Sequence, residues 1–230
     1  MSVLSFEVER DEFNRRLGNG FPDGSIVFIE GDNGSGKSSI SHRITFGLLE
    51  NGYEVTLVST QLTTKGFINQ MYSLDYPIAP HLLKNRLLYI PVLPLIKCSK
   101  NRIDFIERLM NAEALFKKKV IIIDTISSLI KQEADTNKGL ELISFLKKIT
   151  GMGKTVILTA NFNELDSTIY SQFISTADIY FTLKVRPLGN EIKRTIIVNK
   201  FTGARSPVGS MVGFRIEPKV GLVVEIASVA

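Results

Sequence analysis

The chain of 230 residues contains one cysteine, Cys98, and two histidines. A lone cysteine excludes an internal disulfide and suits a reducing compartment. One Cys and two His are too few for the usual structural zinc sites. With so few histidines to pair with, Cys98 reads as an inert thiol rather than a nucleophile. No apolar run approaches the roughly 18 residues that a membrane helix needs. The first ten residues carry charge early, where a secretory signal would be apolar. The chain therefore reads as cytoplasmic. It lacks internal repeats and low-complexity segments, so residues 1–230 read as a single domain, and an apolar content of 44% is enough for a sizeable core.

Concentrated basic charge is also scarce. The net charge is +5, and the longest basic run, Lys117-Lys118-Lys119, precedes an apolar strand and reads as a helix C-terminal cap. Residues 163–176 contain no Lys or Arg. These features argue against a nucleic-acid partner.

What is present centres on Gly31-Asp32-Asn33-Gly34-Ser35-Gly36-Lys37-Ser38, which fits G-x-x-x-x-G-K-[ST] without a gap. The glycines let the backbone curl round a phosphate with its N–H groups turned inward. Lys37 reaches the outer phosphates, and Ser38 offers a hydroxyl to Mg²⁺. Residues 25–30 form an apolar strand before the loop. Residues 39–50 place Ile40, Ile44 and Leu48 four apart, predicting a helix whose N-terminus favours anions. The candidate phosphate site is thus residues 31–38 with Ser39.

Val120-Ile121-Ile122-Ile123-Asp124 predicts a strand buried on both faces, ending in an acid at the ligand-binding edge of a parallel sheet. Asp124 and Ser38 are the candidate Mg²⁺ ligands, Asp124 through water. Elsewhere the pattern predicts helices over residues 6–19, 63–74, 101–116 (apolar face Ile106, Leu109, Met110, Leu115) and from Asp135 or Thr136 through Leu140, Ile143, Leu146 and Ile149. Strands are predicted over residues 54–60, 87–92, broken by Pro91 and Pro94, and 155–160, with a loop over 76–80. Asn161-Phe162-Asn163 is either a γ-phosphate sensor or a turn. The βα alternation is then expected to stop. Strands 179–185 and 192–199, joined by Arg186-Pro187-Leu188-Gly189-Asn190, and strands 213–217 and 222–226 make two antiparallel hairpins.

The phosphate-loop strand, the segment Val58-Ser59-Thr60-Gln61-Leu62-Thr63-Thr64-Lys65, the strand ending at Asp124 and the tail Val212-Gly213-Phe214-Arg215-Ile216-Glu217-Pro218 resemble RecA-like ATPases of the KaiC group. More narrowly they resemble the accessory proteins of the archaeal flagellum, or archaellum. The resemblance implies an α/β RecA-like P-loop core, a mostly parallel sheet flanked by helices and extended by C-terminal antiparallel hairpins. It implies ATP and Mg²⁺ as cofactors and a homo-hexameric ring. The implied location is peripheral to the membrane-bound motor, reached only through partner proteins. Those partners are the archaellum motor/secretion ATPase, its membrane platform protein and a scaffolding ring protein.

The departures from the group's pattern carry equal weight. Gln61 and Leu62 stand where two glutamates activate the attacking water. An amide cannot accept that proton, although Gln61 can position a water. Lys200-Phe201-Thr202 stands where Lys-x-Arg reaches a neighbour's γ-phosphate, so Lys200 is a candidate nucleotide contact while Thr202 replaces the arginine. Spacing supports neither Arg194 nor Arg205 as a substitute. The expected function is an ATP-binding regulator with little or no hydrolysis. The alternatives are an active ATPase or signalling kinase, with Glu30 or Glu164 as base, and a DNA-binding recombinase.

Overall fold

The computed structural model describes residues 2–92, 105–131, 136–188 and 191–225. Pro94, Cys98, residues 101–104, Asp135, the turn at Gly189-Asn190 and Ile226 lie outside the described residues. The strands are β1 (Val3–Leu4), β2 (Phe21–Pro22), β3 (Ile26–Gly31), β4 (Val55–Ser59), β5 (Leu87–Pro91), β6 (Val120–Asp124), β7 (Thr155–Ala160), β8 (Ile179–Leu188), β9 (Glu191–Phe201), β10 (Met211–Glu217) and β11 (Gly221–Glu225). The helices are α1 (Phe13–Arg16), α2 (Lys37–Glu50), α3 (Thr64–Ser73), α4 (Ala79–Leu83), α5 (Phe105–Asn111), α6 (Ile126–Ile130), α7 (Thr136–Gly151) and α8 (Ser167–Thr176).

Nine strands form one sheet in the order β11-β10-β9-β8-β3-β7-β6-β4-β5, and β1 and β2 pair separately. The six strands from β8 to β5 run parallel, while β9, β10 and β11 add on in antiparallel fashion. Each face has its own core. Ile29, Ile40, Ile44, Leu48, Phe181 and Phe214 pack on the α2 side, and Phe28, Ile121, Ile123, Leu146 and Phe173 on the other. Strands β3, β6 and β7 are apolar on both faces because helices cover both. Pro91 closes β5 at the sheet edge, where a missing N–H is tolerated. Among the described residues no helix is long and apolar enough to cross a membrane.

The structure departs from the sequence reading at several elements. The βα alternation runs one unit further, because α8 crosses over from β7 to a β8 that is parallel to β3. Its signals are Ile169 and Phe173 four apart, both buried, and an Asp166 cap that accepts from the Thr168 amide at 2.8 Å. Arg186, Pro187 and Leu188, expected in a hairpin loop, lie within β8. The 101–116 helix divides: α5 ends at Asn111, Ala112 leaves helical geometry, and Glu113–Phe116 is a 3₁₀ turn. In α7 the core-facing residue is Leu142, while Leu140 is 38% exposed. The 76–80 loop is shorter than expected, since Ala79 and Pro80 open α4.

The N-terminal segment is helical only over α1. The Phe6 amide is bound by the Asn14 side-chain oxygen at 3.1 Å and its carbonyl by Arg43 at 2.9 Å, so neither serves a helix. Arg43 on α2 is fully buried and forms a two-pronged pair with Asp11, at 2.6 and 2.7 Å. Gly47, one turn on, permits the crossing, since a Cβ there would lie 2.2 Å from the Phe6 carbonyl oxygen. Removing one partner of a buried pair strands the other charge. Asp11→Ala is therefore expected to cost about 3–5 kcal/mol, read by urea unfolding, whereas the same change at the exposed Asp75 should cost under about 1 kcal/mol.

Candidate functional site

The phosphate loop leaves the end of β3 at the carboxyl edge of the sheet and enters α2 at Lys37, two residues earlier than the apolar spacing places it. Gly36 caps the helix with φ 98°, and its α-carbon lies against the Phe214 ring, where a Cβ would approach to 3.1 Å. Both the backbone angle and the close approach require glycine. The amine of Lys37 donates to the carbonyls of Gly31 (2.5 Å) and Asp32 (2.9 Å). Burial pushes its pKa below the usual lysine value, opposed by the carboxylates of Asp124, Asp32 and Glu164.

Asp124 ends β6 almost fully buried. One carboxylate oxygen accepts from the Thr159 hydroxyl at 2.6 Å, and its carbonyl accepts from the Thr60 amide at 2.8 Å. The Asp124–Thr125 peptide is cis. Thr159 on β7 thus orients the carboxylate, while Thr60, after β4, holds the backbone that carries it. The Ser38 hydroxyl donates to the Gln61 side-chain oxygen at 3.4 Å. Of the two positions read as departures from the catalytic pattern, Gln61 lines the cleft. Leu62 packs against the α2-side core, and its carbonyl accepts from the Tyr89 hydroxyl at 2.8 Å.

Asn161 and Asn163 both touch the loop, donating to Asn33 (3.4 Å) and Asp32 (3.2 Å). Asn161 also forms the turn, its side-chain oxygen accepting from the Asn163 amide at 3.1 Å, so the same residues close a 3₁₀ turn and link the end of β7 to the phosphate loop. The cleft, of about 230 Å³, is lined by residues 32–39 other than Ser35, with Gln61, Arg194 and Ile216. Arg194 donates to the Gly34 carbonyl at 3.3 Å. Neither Arg194 nor Ile216 emerged as a site residue from the sequence. Both reach the loop because β9 and β10 fold back beside it, with Arg194 opposite Phe214 in register.

Lys200 is not in the cleft of its own chain. It pairs with Tyr180, near the start of β8, and its amine donates to the carbonyls of Ser175 and Ala177, capping the C-terminal end of α8. Thr202 lies at the same end, its amide bound to the Asp178 carbonyl at 2.9 Å. Both acids considered as bases are already held by hydroxyl groups. Glu30 accepts from Tyr170 and from Thr182 (2.7 Å), and Glu164 from Ser127 (2.8 Å) and Ser128 (3.2 Å). Burial first, and then the bond to Glu30, hold the Tyr170 hydroxyl well above the usual tyrosine pKa.

The donor set matches a polyphosphate and a hard cation. Lys37 and the Ser38 hydroxyl line the cleft at the start of α2, and Asp124 ends β6 with its carboxylate held by Thr159. A phosphate loop on β3, an acid at the end of β6 and an antiparallel extension folded over the loop define a P-loop protein of the RecA type.

Comparison with known proteins agrees. The family described as "ATPase: KaiC" matches residues 10–227. The archaeal flagellar ATP-binding protein FlaH of Methanocaldococcus jannaschii is 40% identical over 230 residues, covering all of this chain and 99% of that protein. FlaH of Methanococcus voltae is 38% identical, with full coverage of both. The crystal structure of the flagellar accessory protein FlaH from M. jannaschii superposes with a TM-score of 0.92 at 38% identity, over 98% of this chain and all of that one. The chain therefore belongs to the KaiC-like ATPases and, within them, to the FlaH family.

Thr159→Val removes the hydroxyl bound to Asp124 at nearly constant shape and leaves a buried carboxylate oxygen without its donor. The expected cost is about 1–3 kcal/mol by denaturant unfolding at neutral pH.

Proposed function

We propose that this chain is an ATP-binding regulatory and assembly component of the archaellum motor complex, which holds Mg-ATP and hydrolyses it slowly or not at all. The observation that carries the reading is the contrast within one cleft. The phosphate loop and its lysine line the cleft, yet the side chain facing Ser38 there is the amide of Gln61. An amide can orient water but cannot take its proton. In this reading Gly31, Asp32, Asn33, Gly34, Ser35, Gly36, Lys37, Ser38 and Ser39 hold the phosphates, and Ser38 with Asp124 holds Mg²⁺. Arg194 and Ile216, from the antiparallel extension, complete the nucleotide's surroundings. FlaH relatives are named as flagellar ATP-binding proteins, which supports the same assignment.

The rest of the reading concerns assembly. Bound ATP would favour a homo-hexameric ring that docks on the motor/secretion ATPase, the membrane platform and the scaffolding ring protein. A persistent ligand biases an equilibrium only as far as it prefers one state. In such a ring Lys200 and Thr202, at the sheet edge opposite the phosphate loop, are the residues to test for contact with a neighbour's nucleotide.

At a Mg-ATP concentration about 100 times its dissociation constant, the unmodified protein should gain about 2.7 kcal/mol, or roughly 5–10 °C in unfolding midpoint. Lys37→Ala should lose that gain, and an undiminished shift in the variant would remove the site assignment. Arg194→Ala should weaken it partially.

ATP turnover by the unmodified protein should fall far below about 1 per second. Gln61→Glu supplies the missing base and should raise it. Nucleotide released on denaturing the freshly purified protein should be ATP. Ordinary turnover without partners, or release of ADP alone, would instead favour an active ATPase.

A further inference from the structure

Glu30 interrupts the apolar row of β3. Ile26 and Phe28 precede it at alternate positions on the α8 side of the strand, and both belong to the core on that face. Glu30 is nonetheless only 8% exposed, directly before the phosphate loop. Its carboxylate accepts from the Tyr170 hydroxyl on α8 and from the Thr182 hydroxyl on β8, the latter at 2.7 Å. Among the described residues no Lys or Arg forms an ion pair with it.

Three elements converge on this carboxylate. The helix α8 lies over β3 with Phe173 stacked on Phe28, ring centres 5.5 Å apart, and Tyr170, one turn earlier, bonded to Glu30. The Tyr180 hydroxyl on β8 lies 3.1 Å from that of Tyr170. A β-bulge shifts the β8–β9 register between Tyr180 and Phe181 and leaves Asn199 without a cross-strand partner. The Asn199 side-chain amide donates instead to the Thr182 hydroxyl at 2.7 Å.

The stability of the core does not explain the cluster. Taking a carboxylate out of water costs free energy, and replacing a whole buried polar group by apolar residues is often neutral or stabilising. What a satisfied polar network supplies is a single fixed arrangement. Here that arrangement reaches the phosphate loop from two sides. Gly31 follows Glu30 directly; its carbonyl receives the Lys37 amine at 2.5 Å, and a Cβ on it would lie 2.5 Å from the Ser35 hydroxyl. Tyr170 also packs on Phe162, ring centres 5.4 Å apart, and Phe162 lies between the two asparagines that bond Asn33 and Asp32.

We propose that Glu30 and Tyr170 are positioning residues for the phosphate loop. Their bond, with Thr182 as the second anchor, fixes the end of β3 against α8 and so sets where Gly31 and Lys37 stand. The same tyrosine supports the turn that carries Asn161 and Asn163, so one side chain sets the spacing between the two supports of the loop. Neither Glu30 nor Tyr170 lines the cleft, and both act through the backbone. The proposal rests on the nucleotide reading for its effect on affinity, whereas the order of the loop is measured without nucleotide.

The test compares the unmodified protein with Y170F, E30Q and E30A. Two quantities are read well below the unfolding midpoint: amide hydrogen exchange over residues 31–37 without nucleotide, and Mg-ATP affinity by calorimetry. The control for a purely structural loss is T155V, which removes a hydroxyl bound to the Gly24 amide at 3.1 Å at the opposite end of the sheet. Y170F and E30A should speed exchange in the loop and weaken Mg-ATP binding about threefold or more, the size of one lost hydrogen bond. E30Q keeps an oxygen acceptor at nearly the same shape and should fall between E30A and the unmodified protein. T155V should lower the unfolding midpoint and change neither readout. Exchange and affinity in Y170F and E30A equal to those of the unmodified protein would overturn the proposal, as would losses in T155V as large as theirs. If the unmodified protein fails to bind Mg-ATP, the nucleotide reading falls, and loop exchange in the same variants decides the positioning role by itself.

Discussion

The position of α2 is the constraint on which the rest of this structure depends. Its N-terminus must present amides to a phosphate at the carboxyl edge of β3, so the helix cannot shift along its axis without losing the cradle. Three kinds of contact hold it. Ile40, Ile44 and Leu48 key it into the sheet, the buried pair Arg43–Asp11 ties it to the N-terminal segment, and Gly47 lets that segment's backbone cross it directly. A charge buried this deeply adds little net stability over an apolar pair. What it supplies is a single axial register, enforced by the cost of leaving the guanidinium unpaired.

The same helix end is approached from three further directions. Asn161 and Asn163 come from the end of β7, Gln61 from beyond β4, and Arg194 with Phe214 from the antiparallel extension. The loop's contact with the extension links the cleft to β9 and β10.

Much of the fold was legible before any coordinates. The strand-loop-helix around residues 31–38, the buried strand ending at Asp124 and the α2 core positions each rest on local spacing. Local signals were weaker where tertiary packing chose between nearly equivalent outcomes. Phe6 joined the core rather than a helix because its backbone is bound by Asn14 and Arg43, residues 8 and 37 positions away. The helix α8 is rich in Ser and Thr, which are weak helix formers, so its pattern is faint, although Asp166, Ile169 and Phe173 carry it. In α7 the choice between Leu140 and Leu142 is a rotation of the helix about its axis, settled by what lies beneath it.

The sequence by itself determined the chemistry of the phosphate loop and the acid at the end of β6. These depend on residue type and near-neighbour spacing, which a chain carries wherever it folds. Only the tertiary structure decided that Arg194 and Ile216 line the cleft and that Lys200 caps α8 instead of lining it. Those outcomes depend on which strands lie side by side, with Arg194 brought from 160 positions beyond Gly34. Side-chain identity alone does not encode such proximity. It arises when the sheet's order and register place strands distant in sequence at one edge.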